Sequence, residues 1–386
     1  MALYEPFPNY IWNLSVAIAM ESGGKIGEIV DMCRPILDAA KDGADAGTPA
    51  FMKQWAAMGD KLIELAAEDE AKGRMFSASD KLERASLYLL NAERMQGHGA
   101  PGRKETYAKA RAAFDKSTTL GRINRERVEV PLAEGTMPAL YTRAPGPGPH
   151  PVVVYCNGLD SCKELLYWSR LPEALARRGV STLCVDQPGS GEALRLQNLP
   201  VDPHSENWAS KAVDWLETQP DVDPKRIGMT GISLGGHFAP RAVAYEPRFA
   251  SGAVWGGNHN WREVQDKRLK REGENPVPHY WAHVMWAFGA KDMDEFLAKS
   301  EAMNLNGGHM ERVHVPFLVT HGAEDRQISV GYADDLYDQL INSPRREKVI
   351  FTAREGGVEH VGADNMAYGR DLLADWFAET LGGHTA

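Results

Sequence analysis

RIGMTGISLGGHFAPRAVAYE, residues 226–246, changes periodicity at a single serine. Ahead of Ser233 the pattern is that of a buried strand, and after it that of a helix. A serine on such a strand-to-helix bend, with Gly231 two residues before and Gly235 two after, has the spacing of a G-x-S-x-G nucleophile elbow. Both glycines are required because the bend is so tight that a side chain at either would strike the neighbouring strand or helix. Ser233 is therefore the candidate nucleophile, set against the plainer reading of a serine in a turn.

Outward from this bend, strand and helix patterns alternate. RVEVPLAEGTMPALYTRAPGPGPHPVVVYCNG reads as a hairpin, a Pro/Gly-rich connection and a buried strand, and further strands are read in STLCVDQ, SGAVWGG, PFLVTHG and KVIFTA. WASKAVDWLETQ and LPEALARRG, lying between them, have helical spacing. Such alternation predicts an α/β fold, a mostly parallel sheet with helices on both faces. Residues 1–120 differ, with apolar stripes such as Phe51, Trp55, Met58, Leu62 and Leu65 and almost no strand signal. Ser77 with Asp80 three residues on resembles a capping box. The expected organisation is a helical N-terminal cap or dimerisation region over 1–120 and a catalytic domain over 121–386. Within the latter, the roughly 60 residues between two strands exceed an ordinary crossover. Residues 256–312 are read as a lid insertion, rich in aromatics such as Trp261, Tyr280, Trp281 and Trp286, or as a segment that simply packs on the body.

A serine hydroxyl needs a base, and the base needs an acid to hold its tautomer. PFLVTHGAEDRQIS ends a strand with Asp325 at the start of a loop, with Glu324 as the competing carboxylate. KVIFTAREGGVEHVGADN puts His360 in a loop after the last strand, completing the chain order Ser, Asp, His. His321 and His237 are assigned structural roles. The oxyanion formed on addition to a carbonyl calls for backbone donors. Leu234, directly after the serine at a helix N-terminus, supplies one, and Leu159 in the loop YCNGLDSCKE the other.

The 386 residues are 43% hydrophobic and carry a net charge of -10 without a basic run, which excludes a nucleic-acid footprint and argues against an anionic membrane surface. Four cysteines without CxxC or metal-ligand spacing predict reduced thiols and no structural zinc. The first twenty residues lack a basic stretch ahead of their apolar run, and no segment reaches the ~18 apolar residues of a membrane span. The expectation is a cytoplasmic protein acting on a small molecule.

The motifs NGLDSCKE, DQPGSGE, GISLGG, EPRFASGAVWGG, HGAEDRQIS and EHVGADN, with the helical N-terminal region, resemble the α/β-hydrolase superfamily. More narrowly the chain is similar to the group containing 2,6-dihydroxypseudooxynicotine hydrolase, the fungal heptaketide hydrolases of pigment synthesis and the fermentation-respiration switch protein. The resemblance implies Ser233 as nucleophile, Asp325 as acid, His360 as base, and Leu159 and Leu234 at the oxyanion hole. It implies hydrolysis of a carbon–carbon bond next to a ketone in an aromatic or polyketide-like carbonyl substrate, no metal or organic cofactor, and a homodimer. Departures are Asn157 in place of a frequent glycine, Ser329 in place of a proline, and His237 after the double glycine. Glu263 and Asp266 are read as surface charges or as partners of a phenolic leaving group. The competing readings are a carboxylesterase or acyl-peptidase of the same fold and a non-catalytic regulatory protein.

Overall fold

Residues 151–156 are buried one after another, a run that only a strand covered on both faces sustains. The computed structural model describes residues 5–7, 9–39, 48–270 and 279–385. It contains an eight-stranded sheet of β1 (Glu126–Pro131), β2 (Thr136–Thr142), β3 (His150–Cys156), β4 (Ser181–Val185), β5 (Val222–Ile232), β6 (Phe249–Trp255), β7 (Phe317–Gly322) and β8 (Arg346–Phe351), in the order β1-β2-β4-β3-β5-β6-β7-β8. The hairpin β1–β2 and the β2–β4 pair are antiparallel, and the other five pairings are parallel. Parallel pairing brings the C-terminal ends of β3 to β7 to one edge, where their loops converge.

By contacts the chain divides into two compact units, residues 1–125 with 272–283, and 126–271 with 284–386. The stretch 256–312, read as one insertion, is thus shared between them. The first unit holds helices α1 (Tyr10–Glu21), α2 (Ile26–Ala39), α3 (Thr48–Ala71), α4 (Met75–Arg94) and α5 (Arg103–Gly121). Phe51 stacks on Trp55 at 4.6 Å, and Trp55 meets Tyr88 edge-on at 5.7 Å, so the apolar stripe of α3 is core. The capping box expected at Ser77 does not form. Gly73, at a φ of 72°, reverses the chain after α3, and α4 starts at once at Met75, which leaves Ser77 inside its first turn.

The remaining helices are α6 (Lys163–Trp168), α7 (Leu171–Arg177), α8 (Gly191–Gln197), α9 (Glu206–Glu217), α10 (Gly235–Tyr245), α11 (Trp261–Lys270), α12 (Tyr280–Ala287), α13 (Met293–Ser300), α14 (Gly331–Gln339) and α15 (Met366–Leu381). Ser251 of β6 bonds Thr380 of α15 at 2.8 Å, whereas its neighbour Gly252 faces Val243 of α10. Successive residues of a strand point to opposite faces, so α10 and α15 cover the two sides of the sheet. In the second unit Trp261, Phe288 and Phe296 pack on one another, with Trp261 and Phe288 stacked at 5.2 Å. All four cysteines are free and buried. No helix among the described residues is long and apolar enough to cross a membrane.

Candidate active site

Ser233 stands between β5 and α10 with a φ of 57°, a left-handed backbone that a residue with a Cβ adopts at a cost of ~1–3 kcal/mol. Its amide donates to the Trp255 carbonyl of β6 at 3.0 Å, which fixes the bend. A Cβ on Gly231 would lie 2.2 Å from the Gly235 carbonyl oxygen, and one on Gly235 would lie 2.8 Å from that of Cys156. The two glycines thus let β5 turn into α10 against β3. The result is a hydroxyl pushed out at the N-terminus of an eleven-residue helix.

The hydroxyl lies 2.9 Å from His360 Nε2, and His360 Nδ1 lies 2.8 Å from Asp325 Oδ2. An unbroken hydrogen-bond chain therefore joins three side chains delivered by the ends of β5, β7 and β8. Asp325, not Glu324, meets the imidazole, while Glu324 is exposed and its amide donates to Val358 O at 3.0 Å. The second carboxylate oxygen of Asp325 accepts from the amides of Gln327 at 2.7 Å and Ile328 at 2.9 Å. Burial would raise this carboxyl, but the His360 imidazole, His321 and the Ile328 amide outweigh it and hold the group below the ordinary carboxylate value. Asp325 is thus ionised and fixed in orientation.

The histidine loop is built with equal care. Asp364 accepts from the amides of Gly357, Val358 and Glu359 at 2.9, 3.2 and 2.9 Å, and Arg326 pairs with Glu359 at 2.6 Å. The loop passes so close to β7 that a Cβ on Gly322 would lie 2.3 Å from the Val358 carbonyl oxygen. Val361, next to His360, has a φ of 54°, an outlier for a β-branched residue. Arg326 and Asp364 lie inside the motifs HGAEDRQIS and EHVGADN, but what they hold emerges only from the fold.

Leu234 caps α10, and among the described residues its amide has no intramolecular acceptor. Leu159 follows Gly158 in the loop after β3, and a Cβ on Gly158 would come within 3.1 Å of the Ser233 Cβ. Both expected donors therefore belong to segments flanking Ser233. His321 is fully buried, with Nε2 2.9 Å from the Ile328 carbonyl and 3.5 Å from Asp325, so it braces the acid loop. His237 bonds the Asn258 carbonyl at 3.3 Å, and burial lowers its pKa to about 3. Glu263 pairs with Lys267 at 2.7 Å and Asp266 with Arg262 at 3.2 Å, both partly exposed pairs on α11.

Asn157 occupies a frequent glycine position, and its role emerges only in three dimensions. Its amide donates to Gln187 Oε1 at 2.9 Å and its carbonyl accepts from Gln187 Nε2 at 3.0 Å, tying the β3 and β4 loops together.

Two family models match. Residues 48–264 match the esterase FrsA-like family, and residues 208–384 the prolyl oligopeptidase family. Among characterised relatives, 2,6-dihydropseudooxynicotine hydrolase of Paenarthrobacter nicotinovorans is 32% identical, over 85% of this chain and 83% of its own. Hydrolase LUC6 of a Fusarium species is 26% identical, over 98% of this chain and 99% of its own. The crystal structure of 2,6-dihydroxy-pseudo-oxynicotine hydrolase superposes with a TM-score of 0.76 at 22% identity, covering 95% of each chain, which shows a shared fold.

Proposed function

The chain belongs to the esterase FrsA-like family of α/β-hydrolases, and from that premise we propose that Ser233, His360 and Asp325 hydrolyse a carbon–carbon bond next to a ketone. What carries the reading is the hydrogen-bond chain from Ser233 Oγ through His360 to Asp325, at 2.9 and 2.8 Å. A Ser-His-Asp chain of this kind serves acyl transfer.

In the proposed reaction Ser233 Oγ bonds to the ketone carbon while His360 Nε2 takes the hydroxyl proton. Charge moves to the carbonyl oxygen, where the Leu234 and Leu159 amides donate to it; each such donor is worth ~3–4 kcal/mol of barrier. Asp325 holds the Nδ1–H tautomer and stabilises the imidazolium. Collapse of the adduct breaks the carbon–carbon bond, and its electron pair leaves as an enolate or aryl carbanion that receives the proton from His360. The remaining acyl group is an ester of Ser233. Water, deprotonated by His360, then releases the carboxylic acid and returns the proton to Ser233. The substrate class, an aryl or polyketide-like β-diketone, follows from the motif resemblance and is supported by the 32% identical hydrolase.

A second reading is a carboxylesterase or acyl-peptidase, because the prolyl oligopeptidase match at 208–384 covers all three side chains and esters need no carbanion leaving group. Wild type and Ser233→Ala are to be compared on aryl diketones, p-nitrophenyl esters and peptide amides, with products identified by mass. Diketone cleavage to one acid and one ketone, lost in Ser233→Ala, is expected. Fast ester turnover with inert diketones would reverse the ranking, and activity equal in both proteins would remove Ser233 from the chemistry. The proposal includes a homodimer, which a light-scattering mass of 42.6 kDa would eliminate.

A further inference from the structure

Asp186, fully buried just after β4, accepts four hydrogen bonds. Asn157 Nδ2 donates at 3.0 Å, the Lys163 amide at 2.6 Å, Lys163 Nζ at 3.1 Å and the Glu192 amide at 2.8 Å. Three of these donors sit at the two ends of the loop 157–163, and the fourth opens α8. The ammonium of Lys163, itself fully buried, also contacts Glu164 at 2.7 Å and Glu192 at 2.9 Å, while Arg127 of β1 reaches Glu192 at 2.6 Å. Three carboxylates thus surround one lysine out of water, and Glu164 Oε2 has no partner among the described residues. At the other end Asn157 is further held by Gln187 and by the Val185 carbonyl at 2.7 Å.

Burying such a cluster costs more desolvation than it returns in stability, since well-packed apolar side chains of the same volume often do as well or better. What the cluster supplies is position. With both ends anchored, the span 158–162 has little freedom, and it runs beside Ser233 carrying the Leu159 amide. We propose that Asp186, Lys163 and Gln187 are positioning residues that aim the oxyanion loop at the carbonyl attacked by Ser233. They touch no substrate and act through Leu159. This inference rests on the reading of Ser233 as nucleophile given above.

The test is the rate at which a fluorophosphonate, the probe itself, phosphonylates Ser233 in the full chain. Ser233 Oγ bonds to phosphorus as fluoride leaves and the hydroxyl proton passes to His360 Nε2, and the phosphoryl oxygen needs the same amides whatever bond the natural substrate presents. Asp186→Asn keeps the volume but sets an NH2 against the donors it faces. It should slow labelling by ~10²-fold, while the pH midpoint of labelling stays unchanged because the Ser-His-Asp chain is untouched. Gln187→Leu, which removes only the uncharged pair at one end, should slow it roughly tenfold by loosening one of the two anchors. A folded Asp186→Asn that labels at the wild-type rate overturns the proposal, as does a slow variant whose midpoint has moved by more than half a pH unit. Should Asp186→Asn not fold, wild-type labelling in Gln187→Leu overturns it. A wild type that does not label would overturn the Ser233 reading first and this one with it.

Discussion

Replacing Asp325 by Asn tests the tautomer argument, because the surroundings dictate which way the new amide points. One oxygen of Asp325 accepts from the Gln327 and Ile328 amides at 2.7 and 2.9 Å. Keeping an oxygen there retains two bonds of about 1 kcal/mol each, whereas a flipped amide would leave both donors unpaired at about 1–3 kcal/mol apiece. The carbonyl therefore stays with the turn, and the NH2 faces His360 Nδ1, where Asp325 Oδ2 now lies 2.8 Å away. A donor against Nδ1 selects the Nε2–H tautomer, so Nε2 can no longer accept the Ser233 proton. The expected loss in kcat is ~10⁴-fold, equivalent to about 5.4 kcal/mol of barrier. Ester hydrolysis and fluorophosphonate labelling measure it, with thermal melting to establish that the turn survives. A folded variant that keeps more than a tenth of wild-type activity would refute the reasoning.

Two other perturbations follow from packing and protonation. Gly322→Ala places a Cβ 2.3 Å from the Val358 carbonyl oxygen and 2.7 Å from that of Glu359, so the His360 loop must move. A cost of ~1–3 kcal/mol is expected from overpacking, together with a fall in kcat larger than that in folded fraction, read by parallel denaturation and rate measurements; a melt and a rate both like wild type would contradict it. His237, neutral in its buried site with a pKa near 3, lets the unfolded chain bind a proton that the folded chain does not between that value and pH 6.5. Stability therefore falls as pH drops through this window, by about 2 kcal/mol from pH 7 to pH 5. Urea unfolding of His237→Gln should show a correspondingly shallower pH dependence, and identical slopes would show that folding leaves the protonation of His237 unchanged.

The bend at Ser233 was legible because its glycines and the strand and helix around it are contiguous in sequence. The hairpin and the parallel strands were legible for the same reason, as runs of buried β-branched residues between turn signals. Asp325 was preferred to Glu324 from its place at the start of the loop, whereas how it meets His360 depends on the loop's path, since adjacent residues in a turn point in different directions. Ser77 misled because its spacing to Asp80 satisfies a cap pattern while the helix start is set upstream by Gly73. The anchoring of Asn157 to Gln187 and of Lys163 to Asp186 left no periodic trace. It depends on β3 and β4 being parallel neighbours, a relation that appears only once the sheet is assembled.

The buried thiols give the molecule an internal clock. Cys33 lies in α2, and Cys156, Cys162 and Cys184 lie in the second unit. Burial pushes Cys33 up to about 12 and raises the other three thiols as well, so thiolate is scarce and a disulfide reagent must wait for local opening. Mass spectrometry of the modified peptides would then time the opening of α2 and of the sheet separately, in a single tube.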